Sequence, residues 1–302
     1  MIRGEEVYEV IAAMMPLFFA LLLGYGSVKW DIFTQEHSEA INRLVAYFTL
    51  PLFVVEFTAH INPLNPLEMN YWFIGADIIS KLIILAVIAL WAKCSSKGSY
   101  SWSITSFSLS TLNNPLVVGV PLMRAMYGQV GVNLVVESAV IQIIVWFTLL
   151  LFVLEFRRFA GEQERDVEVG EQERDVEAGP RPLSYWHVMK VVGMKLAKNP
   201  NCYGCILGLA WAFVANRWHL KMPSIIEDSI LVMSRAATGT AMFSMGMFMA
   251  NQEHLVACGT SLMIFGMVLR FIAGPAAMAI GAIAVGLHGD ILRVVIIQSI
   301  FD

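Results

Sequence analysis

Long apolar runs separated by short polar breaks dominate this chain. A helix needs about 20 apolar residues to cross a bilayer. Runs near that length lie at 7–28, 40–61, 70–92, 103–126 and 133–155, and after a polar stretch at 198–216, 228–250 and 259–287, with a shorter run at 291–301. The pattern therefore predicts an all-α polytopic membrane protein, with eight full spans and the start of another.

The composition agrees with this fold class. Apolar residues make up 57% of the 302 residues, charged residues 15%, and the mean hydropathy is +0.65, whereas soluble domains carry about 25% charged residues. The first run follows Glu5, Glu6 and Glu9 and is too long for a cleaved signal, so it is read as a span. A net charge of -4 gives no reason to expect a nucleic-acid partner.

The basic residues of the first half predict how the chain lies in the membrane. The loops on one side contain Lys29, Arg43, Lys93, Lys97, Arg157 and Arg158, whereas the other side has only Arg3 and Arg124. Loops rich in lysine and arginine remain in the cytosol. The N-terminus is therefore expected outside the cytosol, and the polar middle of the chain inside it.

That polar middle, 157–190, is predicted to separate a first membrane bundle (1–156) from a second (191–302). It contains a tandem repeat, 161–169 and 170–178, whose two nine-residue copies differ at one position. The repeat is highly charged and has no aromatic residue, so it cannot bury enough apolar area to fold. A solvated, flexible linker is the simplest interpretation, and a regulatory docking segment is the alternative.

The fourth apolar run is interrupted by polar and helix-breaking residues. They are Asn113, Asn114, Pro115, Gly119 and Pro121. Irregular backbone in a membrane is tolerated only where it is buried in protein or lines a cavity. The ends of a broken helix carry partial charges, and asparagine amides add hydrogen-bonding groups beside them. Secondary transporters hold small charged solutes in this way; a proline kink that serves only packing is the alternative.

A few ionisable or amide side chains lie within other apolar runs. Asp77 and Lys81 are four residues apart, so they share a helix face and can pair. Charged groups at such depth usually have a function, although a structural ion pair remains open. Gln142 is a candidate third member of the cluster, or an interhelical hydrogen-bonding residue. Glu56 and Arg270 receive no role.

The sequence gives little support for catalysis, redox chemistry or metal binding. Cys202 and Cys205 have the spacing of a redox or metal motif, but no second cysteine pair accompanies them and the six histidines are scattered. Glycine-rich phosphate loops and the common hydrolase motifs are absent from the sequence. We therefore expect neither an enzyme, nor a metal site, nor a bound cofactor.

Outside the linker, the chain resembles the PIN-FORMED auxin efflux carriers of plants. The matching segments are Tyr25–Trp30, Ile41–Arg43, Ala76-Asp77 with Lys81, Trp102–Thr105, Val118–Leu122, Asn199–Asn201, Ala241–Gly246, Arg270-Phe271 and Gly274-Pro275. The resemblance implies two inverted five-helix bundles in which broken helices four and nine cross. About nine of the family's ten spans are accounted for here, which leaves the second bundle incomplete.

The resemblance also implies a substrate and a site. The substrate would be indole-3-acetate or a related auxin, whose carboxylate is charged at cytosolic pH. By motif, the crossover contact falls on Asn114 beside Asn113, the second polar contact on Asn201 and the apolar wall on Leu50. Pro115, Gly119 and Pro121 form the break itself. The supporting ionic cluster falls on Asp77, Lys81 and Gln142.

Three departures from the family pattern matter. Asn113 stands where the family usually has proline, and the proline follows at Pro115 instead. The short linker is similar to that of the members in the endoplasmic reticulum, with the plasma membrane as the alternative. The sequence ends at Asp302, where the family enters its ninth span, so we expect weak transport by this chain alone.

The expected function is export of the auxin anion from the cytosol by alternating access, which would contribute to intracellular auxin homeostasis. The expected partners are auxin, the lipid bilayer, and a second copy or a full-length carrier. The alternatives are a channel, a truncated non-transporting form that modulates full-length carriers and, more remotely, an intramembrane enzyme.

Overall fold

Helices make up nearly all of the chain that the computed structural model describes, residues 4–60, 71–94, 106–107, 115–156, 185–252 and 260–301. The long helices are α1 (Gly4–Lys29), α2 (Gln35–Ala59), α3 (Tyr71–Cys94), α4 (115–156), α5 (Tyr185–Ala197), α6 (Pro200–Trp218), α7 (Ser224–Ala250), α8 (260–285) and α9 (Gly289–Phe301). These segments contain no strand.

Five of these helices are long and apolar enough to cross a membrane. The qualifying segments are Tyr8–Lys29, Gln35–Ala59, Tyr71–Leu90, Leu116–Phe156 and Met263–Val285. They confirm the predicted all-α polytopic membrane class. Helices α6 and α7 were also predicted as spans; at 19 and 27 residues they are long enough, but their asparagine, serine, threonine and glycine residues make them less apolar.

Helix α4 is not one continuous rod. Gly128 interrupts it with φ 61° and ψ -142°, outside the helical region, a conformation that glycine adopts without steric cost. The break divides α4 into a short half, 115–127, and a long half, 129–156. The sequence predicted two segments here, 103–126 and 133–155, and the structure shows that only a single residue separates the helical halves.

Three helices contain a wider, π-helical turn. These turns are Val45–Thr49 in α2, Gln142–Trp146 in α4 and Leu269–Ala273 in α8. In α2 and α8 a proline follows shortly after the turn, at Pro51 and Pro275. Because proline has no N–H, the usual bond to the carbonyl one turn earlier cannot form. The residue directly before the proline donates its N–H to the carbonyl five residues earlier, as Leu50 does to Val45.

The helices pack in a regular set of pairs. Helix α1 lies against α7, the second half of α2 against α6, α3 against the second half of α8, and α9 against both α8 and α4. Small residues permit the closest approaches, as is common between membrane helices. A Cβ atom on Gly24 would overlap the carbonyl of Phe243, and one on Gly246 would overlap the carbonyl of Leu21.

The α2–α6 pair uses a Gly-x-x-x-Gly spacing. Gly204 faces the backbone of Pro51, and Gly208 faces the hydroxyl of Thr58. The two glycines lie on one face of α6 because residues four apart are neighbours on a helix. This contact fixes the first turns of α6 against the middle of α2.

Helix α5 overlaps the end of the predicted linker, 157–190. Residues from Tyr185 onward are helical, and Val192, just after the predicted linker, is buried. The bounds of the two bundles stay predictions. The tandem repeat itself lies outside the described residues.

We expect Gly246→Ala to destabilise the α1–α7 pair, because the added methyl group would meet backbone atoms that cannot move independently. Overpacking of this kind costs about 1–3 kcal/mol. Gly239→Ala on the same helix is the matched control, since no atom lies within 4 Å of a Cβ there and alanine is the better helix former. Thermal unfolding of the purified protein would show a lower midpoint only for Gly246→Ala; equal midpoints would contradict the close α1–α7 contact.

Candidate functional site

The short half of α4 begins at Pro115 and runs through protein. Leu116 is 2% exposed and Met123 0%, Gly119 is buried and Pro121 is half-buried inside the helix. A helix start leaves backbone N–H groups without partners in its own helix. Asn113 and Asn114, predicted to contact substrate, directly precede this start and lie outside the described residues.

Asn201 lies in the first turn of α6. Asn199 caps this helix, and its side-chain oxygen accepts the Asn201 N–H at 3.0 Å, while Pro200 occupies the first helical position. The Asn201 side-chain oxygen is itself buried, and no described residue is within hydrogen-bonding distance of it. Buried polar atoms in folded proteins are nearly always paired, so this amide is a candidate ligand contact.

Packing brings three of the predicted site segments together. Helix α6 contacts both the Val45–Thr49 turn of α2 and the Gln142–Trp146 turn of α4. Gly204, three residues after Asn201, meets the backbone of Pro51, which follows Leu50. The half-buried Leu50, Asn201 and the buried Gln142 therefore lie on segments that touch one another.

The predicted ion pair is present and deeply buried. Lys81 Nζ lies 2.8 Å from Asp77 Oδ1 and 3.1 Å from Oδ2, with 4% and 2% of the two side chains exposed. Trp146 completes the group: its indole N–H donates to Asp77 Oδ2 at 3.0 Å, and the Lys81 ammonium lies 5.1 Å from the centre of its ring.

Trp146 was missed by sequence reasoning. It lies 69 residues from Asp77, and in an apolar run a tryptophan resembles ordinary lipid-facing or packing residues. One signal was available, because a buried indole N–H needs an acceptor and Trp146 follows the candidate Gln142 by about one helical turn. Gln142 is 4% exposed on the same π-helical turn.

Several other buried polar groups were also missed or left without a role. Glu137 is 4% exposed and Ser138 0%; the search for ionisable groups in apolar runs would have found Glu137. The Gln298 amide donates to the Leu134 carbonyl at 3.4 Å, which links α9 to α4.

Glu56 and Arg270, which the sequence left unassigned, both have partners. The Ser234 hydroxyl donates to the Glu56 carboxylate, which joins α2 to α7. The Arg270 guanidinium donates to the carbonyl of Ile300 at 3.0 Å, which joins α8 to α9. Both side chains connect helices in this structure.

The cysteine pair gives no sign of metal chemistry. Cys202 and Cys205 are buried and unoxidised in α6. In the part of the chain that the structure describes, no three His, Cys, Asp or Glu side chains cluster closely enough to hold a metal ion. The two cysteines pack against α6's neighbours as small apolar side chains.

A buried helical segment interrupted by glycine, a buried amide oxygen without a partner among the described residues, and an ion pair inside an apolar span are features of a polytopic membrane transport protein. Residues 9–301 match the family described as "Membrane transport protein". The chain is 63% identical to "Auxin efflux carrier component 5" of Arabidopsis thaliana, over 99% of this chain and 86% of that protein.

Other relatives agree with this assignment. "Probable auxin efflux carrier component 5a" of Oryza sativa subsp. japonica is 55% identical, over 99% of this chain and 87% of that protein. "Auxin efflux carrier component 8" of Arabidopsis thaliana is 30% identical, over 99% and 88%. The chain therefore belongs to the auxin efflux carrier family, whose members are membrane transport proteins and not a class of enzymes.

We expect Asp77→Asn to lower the free energy of unfolding by about 3–5 kcal/mol, because it leaves the Lys81 ammonium buried without a counter-charge. The double variant Asp77→Asn with Lys81→Met removes both charges and should recover most of that loss. Chemical or thermal unfolding of the purified variants measures the difference. A double variant no more stable than the single one would contradict a directly coupled pair.

Proposed function

We propose that this protein is a carrier for indole-3-acetate or a close analogue, moving the anion out of the cytosol. The names of the relatives supply the substrate class. The single observation that carries the proposal is the buried, unpartnered amide oxygen of Asn201, on a helix that touches both α2 and α4.

The chemistry of this region suits a carboxylate. The N-terminus of a helix carries a partial positive charge and free N–H groups, and the short half of α4 begins at Pro115. An asparagine amide has an acceptor oxygen on one side and a donor NH2 group on the other, and a 180° rotation of the amide exchanges their positions. With its amide turned by 180°, Asn201 presents an NH2 group that donates to an anion. Asn113 and Asn114 would add further amides beside the start of α4.

No fixed cation is required for this binding mode. The buried ammonium of Lys81 is already paired with Asp77 at 2.8 Å, so it neutralises the protein's own carboxylate. A site of amides and helix N-termini binds an anion without the desolvation cost of an unpaired lysine. A weaker, uncharged site also releases its ligand, as a carrier must.

Leu50 supplies the apolar side of the proposed site. It directly follows the π-helical turn of α2 and precedes Pro51, whose backbone contacts Gly204 of α6. Its half-buried side chain suits the flat indole ring of the substrate, because burying an apolar side chain against an aromatic ring is favourable. The polar and apolar parts of the ligand would thus be held by different helices.

The helix pairs support alternating access between two inverted bundles. Suppose that a two-fold axis relates α1, α2 and α3 to α6, α7 and α8, in that order. The α1–α7 contact then requires an equivalent contact between α6 and α2, and α3 contacts its own equivalent, α8. All three contacts are present, as a two-fold relation requires. In this proposal α1, α2, α6 and α7 form the fixed part, and α3, α4, α8 and α9 move together.

The ionic cluster would then support the moving part. Asp77 and Lys81 belong to α3, and Trp146 belongs to the long half of α4, so the cluster ties together two helices that move as one. Gln142 lies on the same π-helical turn as Trp146, and this turn contacts α6. This assignment predicts a role in the rate of transport more than in affinity.

The membrane proposed for this carrier is the endoplasmic reticulum. The predicted linker, 157–190, is short, and the charge distribution of the loops would keep it in the cytosol. Export would then deliver auxin to the lumen, driven by its gradient and by any membrane potential, worth about 2.3 kcal/mol per charge per 100 mV. A homodimer is the proposed assembly.

The test is uptake of radiolabelled indole-3-acetate into sealed microsomes from cells that express this chain. Asn201→Ala should weaken binding by about 1–3 kcal/mol, the cost of an unpaired buried polar group, which means about fivefold or more in KM. Asn133→Ala is the matched control, because Asn133 is exposed and bonds only to Gln129 of its own helix among the residues described here.

Three outcomes of this experiment would contradict the proposed transport activity, binding site or location. Uptake no greater than in cells without the chain, both for this chain and for the same chain extended by the last two spans of a related carrier, would contradict a carrier and favour a modulating role. Equal KM values for Asn201→Ala and Asn133→Ala would mean that the site lies elsewhere. Uptake confined to plasma-membrane vesicles would overturn the proposed location.

A further inference from the structure

Helix α5 exposes an unusual set of side chains for a segment between membrane helices. Trp186 is 80% exposed, Met189 55% and Met194 49%, whereas Val192 is 4% exposed. Residues 186, 190 and 197 lie on one side of a helix, with 189 and 194 flanking them. The face that α5 turns away from the protein therefore combines apolar side chains with the exposed Lys190.

Two contacts hold α5 at one end of the membrane helices. The Lys195 ammonium forms an ion pair with Glu155, whose side chain is 6% exposed, close to the end of α4 at residue 156. The same end of α5 is joined to α6, because α5 stops at Ala197 and α6 starts at Pro200. The ion pair and this short connection keep the last turn of α5 beside α4 and α6.

The charged residues from α5 to the end of α6 are all basic. No aspartate or glutamate occurs between Glu177 and Glu227, while Lys190, Lys195 and Lys198 lie in or directly after α5. Tryptophan prefers the headgroup region of a bilayer, and short basic helices with an apolar face lie in that region. Lysines near the surface attract anionic lipids.

We propose that α5 is a membrane-surface helix that binds anionic phospholipids. Trp186, Met189 and Met194 enter the boundary between headgroups and acyl chains, while Lys190 and Lys198 contact lipid phosphates. Lys195 stays with Glu155 and holds the helix in place. The proposal does not depend on which solute the protein carries, so it survives or fails separately from the proposed function.

The experiment uses the full chain in phosphatidylcholine bilayers with a trace of spin-labelled lipid. Electron paramagnetic resonance measures the fraction of label immobilised at the protein, and hence the association of phosphatidylserine relative to phosphatidylcholine. The double variant Lys190→Gln, Lys198→Gln should lose selectivity for phosphatidylserine, by up to about fivefold per lysine at low salt. Lys190→Arg with Lys198→Arg should retain it.

The control removes two charges from the other end of α6, with Arg217→Gln and Lys221→Gln. Both residues are exposed, but Glu227 and Asp228 lie near them in the sequence, so this pair should change selectivity little. Equal losses in the two double variants, or none in either, would overturn the proposal. Selectivity abolished by millimolar inorganic phosphate would also overturn it, because that result means a site for a free anion and not a lipid surface.

Discussion

The absence of water inside the hydrocarbon of a bilayer constrains this structure more than any other factor, because each polar group in a span must find its partner within the protein. Hydroxyl groups find partners within their own helix. The Thr58 hydroxyl donates to the backbone carbonyl of Val54 at 2.7 Å, and the Ser80 hydroxyl donates to the backbone carbonyl of Asp77 at 2.8 Å. The Asp77 carboxylate meets the constraint within α3, by pairing with Lys81, and across helices, by accepting the indole N–H of Trp146 from α4. The cluster therefore satisfies its members and fixes α3 against α4.

The same constraint gives meaning to a buried polar atom that finds no partner among the described residues. Directly before Pro51 and Pro275, the N–H groups of Leu50 and Gly274 donate to carbonyls five residues back, in π-helical turns. Where helices approach closely, glycines remove the side chain that would keep them apart. Against this background the buried oxygen of Asn201, for which the described residues provide no donor, is most simply explained as a place for a ligand. The transport proposal rests on that contrast.

Much of the fold could be predicted because apolar run length is a strong signal: α1, α3 and α7 begin and end within a few residues of their predicted bounds. The Asp77–Lys81 pair was also accessible, since its spacing is local. Trp146 was not, because the contact depends on how α3 and α4 pack. The interruption at Gly128 falls between the predicted runs 103–126 and 133–155, so apolar run length located it as well. The proposed substrate residues Asn113 and Asn114 stay predictions.

The central claim is that an auxin anion binds where the first turns of α4 and α6 meet the middle of α2. Amide hydrogen exchange of the full chain, with and without indole-3-acetate, tests it most directly, because a bound carboxylate would protect N–H groups that have no partner in their own helix. Slower exchange is therefore expected at 116–118, at the start of the described part of α4, with α5 unchanged. Protection confined to other helices, or none under saturating ligand, would contradict it.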